Sequence, residues 1–167
     1  LSTGSMTTRC SLCIVGAGYA GINALNAATK YLPIGATVVI IDRNPKFGGQ
    51  WINQYDYVRL HQPHRNFTAG ERKWAISGVK PEHHLASKYE ILSHFEDIVQ
   101  QCVIDKDLHL IPLFSHSHDG QHQVVEGKVT LVVQPESSLP STAEPVQIIA
   151  DRLIKCAGFK IPTKIPF

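Results

Sequence analysis

The 167 residues carry 16 basic and 14 acidic groups, a net charge of +2, and 43% of them are hydrophobic. That is about one domain, long enough to bury a core of its own. With no basic run and no apolar stretch near the ~20 residues of a membrane helix, the chain gives no argument for nucleic acid, a membrane surface or a transmembrane segment.

Leu1-Ser2-Thr3-Gly4-Ser5 ahead of Met6 reads as a cloning remnant, leaving residues 6–167 as one domain. No signal-peptide pattern follows Met6, so a cytoplasmic location is expected. No oligomeric state is legible.

The first apolar run, from Cys10 to Val15, ends in Gly16-Ala17-Gly18-Tyr19-Ala20-Gly21. This is GxGxxG where a first strand would join a first helix. The first glycine allows the tight turn, the second lets a pyrophosphate reach the backbone, and the third lets helix and strand pack closely. The anion would sit on free N–H groups at the helix N-terminus, where the dipole favours negative charge. The helix is predicted over 19–31, with Ile22, Leu25, Ala28 and Leu32 on one face and Pro33 and Gly35 as its stop. A β-branched run over 36–41 suits a buried parallel strand, and it ends in Asp42, about twenty residues past Gly21, where a ribose-binding carboxylate is expected. An acid there repels a 2′-phosphate, so the adenosine should be that of FAD or NAD. A glycine-bearing turn in some other α/β protein is the bland alternative.

Pro45 stops the strand, and Gly48-Gly49 allows another close backbone approach. Gly48-Gly49-Gln50-Trp51 followed by Tyr55-Asp56-Tyr57-Val58-Arg59-Leu60-His61-Gln62-Pro63 resembles the GG-x-W and Y…L-H-x-P stretch of flavin-containing monooxygenases, with the closest likeness to the plant indole-pyruvate monooxygenase branch. Ser87 and Glu90 form a capping box opening a helix whose apolar stripe is Ile91, Leu92, Phe95, Ile98, Val99 and Cys102.

Beyond it the pattern is of short strands: 108–114, with Pro112 arguing for an edge, then 124–125 and 129–133 in a three-stranded meander, with Asp119-Gly120 read as a hairpin turn. Residues 134–145 form a polar Pro- and Ser-rich loop, and 146–154 a further strand. It leads into Cys156-Ala157-Gly158-Phe159, which resembles the ATG-type motif of FAD-binding oxidoreductases with Cys-Ala in place of Ala-Thr. The threonine hydroxyl of that motif is therefore missing here.

The fold expected is α/β: a Rossmann-like FAD/NAD(P)-binding domain, a parallel sheet with helices plus an antiparallel β-meander. The resemblance implies an FAD-dependent oxidoreductase in which NADPH reduces the flavin. O₂ then adds to give a C4a-(hydro)peroxyflavin, and one oxygen passes to a small organic substrate. It further implies that Gly16, Gly18, Tyr19, Ala20 and Gly21 hold the pyrophosphate and Asp42 and Arg43 the ribose side. Gly49, Gln50, Trp51, His61, Gln62, Ala157 and Gly158 would approach the cofactor. His61 is the candidate catalytic group, at the position where animal members carry an asparagine beside the flavin; an ordinary loop histidine competes with that reading.

No second GxGxxG occurs among the twelve glycines. The relatives carry one for NADPH, so a cloned fragment or a short homologue is expected, inactive by itself and with an incomplete FAD site. A pyridine-nucleotide flavin oxidoreductase without oxygenation and a non-catalytic dinucleotide-binding module stay open.

Cys10 and Cys13 form CxxC inside a strand with no second pair at ligand spacing, and read as buried structural thiols together with Cys102 and Cys156. His116, His118 and His122 are read as decorating an exposed hairpin rather than binding a metal, so no metal is expected.

Overall fold

The structure, a computed structural model, describes residues 6–158; the proposed cloning remnant and the chain from Phe159 onward lie outside the described residues. Strand β1 (Met6–Val15) is followed by helix α1 (Tyr19–Ala28) and strand β2 (Thr37–Asp42). β1 pairs in parallel with β2 on one side and with β7 (Val146–Lys155) on the other. A strand with neighbours on both sides and cover on both faces cannot alternate polar and apolar residues, which accounts for the unbroken buried run from Leu12 to Val15.

A long irregular segment then crosses to α2 (Lys88–Lys106), with two short 3₁₀ turns, Gly49–Asn53 and His64–Phe67, that local patterning did not announce. Strand β3 (His109–Phe114) follows, then β4 (His116–Ser117), β5 (Gln123–Val125) and β6 (Lys128–Pro135). The sheet order is β3-β2-β1-β7-β6-β4, with β5 also on β6. This is a Rossmann-like mixed sheet, mostly parallel around β1 and antiparallel from β7 outward.

One face carries the helices, with Ile22 and Leu25 of α1 and Ile91, Phe95 and Ile98 of α2 packed on Leu12, Ile14, Val38 and Ile40. The other face is covered by the sheet itself: Val39 and Ile41 share a cluster with Leu131, Val133 and Ile148, so the antiparallel part curls over β2.

Three expectations needed correction. α1 ends at Ala28, three residues short of the predicted Tyr31. The Thr29 hydroxyl bonds the Asn26 carbonyl at 2.6 Å, and the next amides fall back on the carbonyls three residues earlier, tightening the last turn. The strand at 108–114 is not a meander strand: it pairs in parallel with β2 at the sheet edge, where Pro112 opposite Ile40 leaves no ladder bond unmade on the outer side. Asp119-Gly120 is not a hairpin turn either. β4 and β5 both pair with β6 and not with each other, and the tight turn is Glu126-Gly127, both at positive φ (51° and 75°), which joins β5 to β6.

The capping box forms as expected. The Ser87 hydroxyl accepts the Glu90 N–H, and a Glu90 oxygen accepts the Ser87 N–H at 2.8 Å. Burial alone would raise the Glu90 pKa, but the Ser87 N–H, the His84 imidazole and the Ser87 hydroxyl outweigh it and hold that carboxyl at about 2.

Candidate functional site

The carboxyl ends of β1 and β2 meet the N-terminus of α1 over a cleft of about 470 Å³. Its floor is two glycine turns pressed together. A Cβ on Gly18 would lie 3.2 Å from the Gly49 Cα, and one on Gly49 would lie 2.7 Å from the Gly18 Cα. The second glycine pair is thus needed to pack against the first motif, a reason additional to any ligand. Gly48 N–H donates to the Ala17 carbonyl at 2.9 Å and locks the two turns. Gly21 faces inward instead, where a Cβ would collide with the Gly16 carbonyl oxygen, so it closes the turn and does not line the cleft. Gly18 is the N-cap of α1 and offers no side-chain acceptor, so no side chain caps the orphan N–H groups of the first turn.

Asp42 points back into this junction. One carboxylate oxygen accepts the Ala17 N–H at 2.6 Å; the other accepts the Asn44 backbone N–H at 2.8 Å and its side-chain N–H at 2.9 Å. The acid at the end of β2 therefore ties the glycine turn to the segment that follows, while still lining the cleft. Arg43 lines it too, ion-paired with Glu136 at 3.1 Å. Opposite, an aromatic wall rises: Tyr19 stacks on Phe67 with centroids 4.4 Å apart, Trp51 meets Phe67 edge-on at 5.9 Å, and the Tyr19 hydroxyl donates to the Thr68 carbonyl. The third side is the end of β7. The Cys156 N–H donates to the Val15 carbonyl at 2.6 Å, and Ala157 and Gly158 continue along the cleft.

Of the residues nominated from sequence, Gly16, Gly18, Tyr19, Ala20, Asp42, Arg43, Gly49, Gln50, Trp51, Ala157 and Gly158 line this one cleft. His61 and Gln62 do not. The Leu60 N–H is bonded to the Ala86 carbonyl and its side chain is buried, which turns the next residue, His61, out to solvent. His61 accordingly lies outside this cleft.

Cys156 is only half-buried and lines the cleft, unlike Cys10, Cys13 and Cys102, which are buried; all four are free thiols. Burial pushes Cys10 up to about 11 and Cys13 to about 12, so neither is a thiolate nucleophile at neutral pH.

The histidines differ most from the sequence reading. His116 and His118 do not decorate an exposed hairpin: both line the cleft, and the His118 side chain is 2% exposed. His122 lies apart, against Lys155 at 3.1 Å. Among the described residues no group of three or more His, Cys, Asp or Glu is placed to hold a metal.

A second histidine cluster lies beside α2, outside the cleft. His94 stacks on Trp74 at 3.9 Å and 7°, His64 meets Trp74 edge-on, and His84 pairs with Glu90 at 2.9 Å. His94 sits three residues after Ile91 and four before Ile98, so helical spacing put it on the buried stripe; its polar type hid it. Its Nδ1 has no hydrogen-bond partner, and burial, helped by His64, lowers its pKa to about 4.

Comparison with known proteins agrees with the fold. Residues 14–76 match the NAD(P)-binding Rossmann-like domain. An uncharacterised protein of Mycobacterium bovis is 28% identical over 121 residues, which are 68% of this chain and 22% of that protein. Polycyclic ketone monooxygenase from Thermothelomyces thermophila superposes with a TM-score of 0.68 at 19% identity, over 95% of this chain and 24% of that one. A cyclohexanone monooxygenase from Rhodococcus sp. Phi1, bound to NADP⁺, superposes with a TM-score of 0.67 at 18% identity, over 96% of this chain and 28% of that one. The chain thus spans about a quarter of the length of these relatives. Among the described residues no helix is long and apolar enough to cross a membrane.

Proposed function

We propose that residues 6–167 are the FAD-binding portion of a flavin-dependent monooxygenase that uses NADPH and O₂ to oxygenate a small organic substrate. The observation that carries this is the junction of two glycine turns, a bare α1 N-terminus and Asp42 within one cleft. The residues fit the group: Gly16, Gly18 and Gly49 line the cleft with bare backbone, and no side chain caps the first-turn N–H groups of α1 at the positive end of its dipole. When bound, the flavin would accept hydride from NADPH and deliver one atom of O₂ to the substrate.

The chain's own part is to bind and shield. Gly16, Gly18, Tyr19 and Ala20 would hold the diphosphate. Lone pairs of Asp42 not used by Ala17 and Asn44 would take a ribose hydroxyl. Trp51 and Phe67 would keep water from one side of the cofactor. The likeness to flavin monooxygenase structures supports this assignment, and Gly48-Gly49-Gln50-Trp51 together with the Tyr55 to Pro63 stretch is what favours the plant indole-pyruvate branch within it. The four free cysteines suit a reducing cytoplasm.

The test is the absorbance of the purified chain after incubation with FAD, followed by mass analysis of the released ligand. Retained flavin bands and FAD mass are expected. A colourless protein that takes up NAD(H) and no FAD would instead make it a dinucleotide-binding module, the reading favoured by the single glycine fingerprint. In a longer protein containing this chain, NADPH oxidation stimulated by substrate with oxygenated product is expected; purely uncoupled oxidation would leave a flavin oxidoreductase.

A further inference from the structure

His94 is 2% exposed on the buried stripe of α2, and its two ring nitrogens are placed unequally. Nε2 accepts the Ala69 N–H at 3.4 Å, so in the neutral ring the hydrogen sits on Nδ1, which has no partner. The imidazole also stacks on Trp74 at 3.9 Å, and the Trp74 indole N–H donates to the Thr68 hydroxyl at 3.0 Å. One side chain thus holds both ends of the segment 69–74 on α2. That segment runs directly into the wall of the cleft. Phe67 stacks on Tyr19 and lines the cleft, and the Thr68 carbonyl accepts the Tyr19 hydroxyl at 3.1 Å. Only Thr68 separates Phe67 from buried Ala69.

A proton added to His94 has to enter at Nε2, the nitrogen without a hydrogen. It turns the acceptor into a donor, so two N–H groups face each other across the Ala69 contact while the one at Nδ1 stays unpaired. Nothing bonded to His94 offsets the charge. On its own helix, Glu90 is held by His84 and the Ser87 cap. From the segment before α2 the neighbours are His64, edge-on to Trp74, and His84 beyond it, both of which repel a cation when protonated. α1 carries no charged residue. Glu71, Arg72, Lys73 and Asp97 stand around a groove between the segment and α2, and none of them is bonded to His94. Burial, helped by His64, is what pulls the His94 pKa down to about 4.

We propose that His94 is a pH-operated latch on the cleft: proton uptake at Nε2 releases residues 67–74 from α2, Phe67 and Thr68 draw back from Tyr19, and the site loosens its ligand in mild acid. The release stands on the His94 geometry alone; its effect on a ligand rests on the flavin reading above. An open segment returns the imidazole to water and to its ordinary pKa of 6.5. The open fraction therefore rises about tenfold per pH unit from 6.5 down to about 4.

The test is amide hydrogen exchange of the full chain from pH 7 to 5, corrected for the intrinsic pH dependence of exchange, with FAD retention followed by absorbance at the same pH values. Peptides covering 67–74 should lose about tenfold in protection from pH 6.5 to 5.5, ahead of the β1 amides. That slope should vanish in His94→Phe, which can stack on Trp74 without titrating, and in His94→Gln, whose amide oxygen can take the Ala69 N–H. If His94→Phe does not fold, His94→Gln decides. FAD should be released as the pH falls in the native chain and not in the variants. Protection that is independent of pH, or lost equally in β1, overturns the latch, and a slope that persists in the variants removes His94 from it. Opening with FAD held equally at pH 7 and 5 overturns the coupling to the cleft. A chain that takes up no FAD at pH 7 overturns the flavin reading and that coupling, while exchange still decides the latch.

Discussion

Asp42 is expected to hold the fold as well as a ligand, and the two roles separate by substitution. In Asp42→Ala the N–H of Ala17, a residue 0% exposed, loses its 2.6 Å acceptor. Leaving a buried donor unpaired beside a lost charged acceptor costs about 1.5–3 kcal/mol. The two Asn44 donors sit in a half-buried segment and can turn to water, adding about 1 kcal/mol at most. The sum, about 1.5–4 kcal/mol, is a large share of the roughly 5–15 kcal/mol typical of a domain, yet leaves it folded. In Asp42→Asn the amide oxygen can still serve Ala17, but its NH₂ then faces the Asn44 N–H, donor against donor, and about 1–2 kcal/mol is expected. Urea unfolding followed through Trp51 and Trp74 measures this, with the slope unchanged. The order should be native, Asn, Ala. An Ala variant within 0.5 kcal/mol of the native chain would refute the claim that this carboxylate closes the turn.

Acid stability should fall in two windows. His94 has its pKa depressed to about 4, so its contribution is full above about 6.5 and is lost as pH falls toward 4, a span of about 3 kcal/mol. Glu90, held at about 2, contributes fully above about 4.5 and loses that contribution below it. Unfolding free energy measured from pH 7 to 3 should lose its upper slope in His94→Phe and its lower slope in Glu90→Gln; a His94→Phe profile as steep between 6.5 and 4.5 as the native one would contradict this. Gly49→Ala should destabilise by about 2–4 kcal/mol, because a positive φ of 55° adds to a contact 2.7 Å from the Gly18 Cα, whereas Gly78→Ala, with φ 82° and open space, should cost about 1–2 kcal/mol. Equal losses at the two sites, read by chemical denaturation, would mean that the packing of the two glycine turns adds nothing. Native-state thiol titration should label Cys156 first, with buried Cys10, Cys13 and Cys102 reacting only on unfolding; early labelling of Cys13 would exclude its placement in the central strand.

The glycine turn, the uncapped helix, Asp42 and the capping box were legible in the sequence because each is set by residues close together in the chain. A turn at Gly16 needs no distant partner, and Ser87 and Glu90 cap a helix three residues apart wherever that helix packs. The apolar stripe of α2 was equally plain, and even buried His94 lay on its period. Loop length and pairing were less so: Asp119-Gly120 has the composition of a hairpin turn, but the partner of β4 is β6, and Glu126-Gly127 took that role.

What remained for the tertiary structure was everything that depends on curvature and register. The strand at 108–114 has the same residues whether it joins a meander or lies parallel to β2, and only the crossover through α2 decides between them. His61 follows a buried Leu60 and is turned to solvent, while His116 and His118, which look like surface residues by composition, are carried into the cleft by β3 and its register with Asp42. A side chain's neighbours across a sheet are fixed by pairing between segments tens of residues apart, and local sequence holds no record of that pairing.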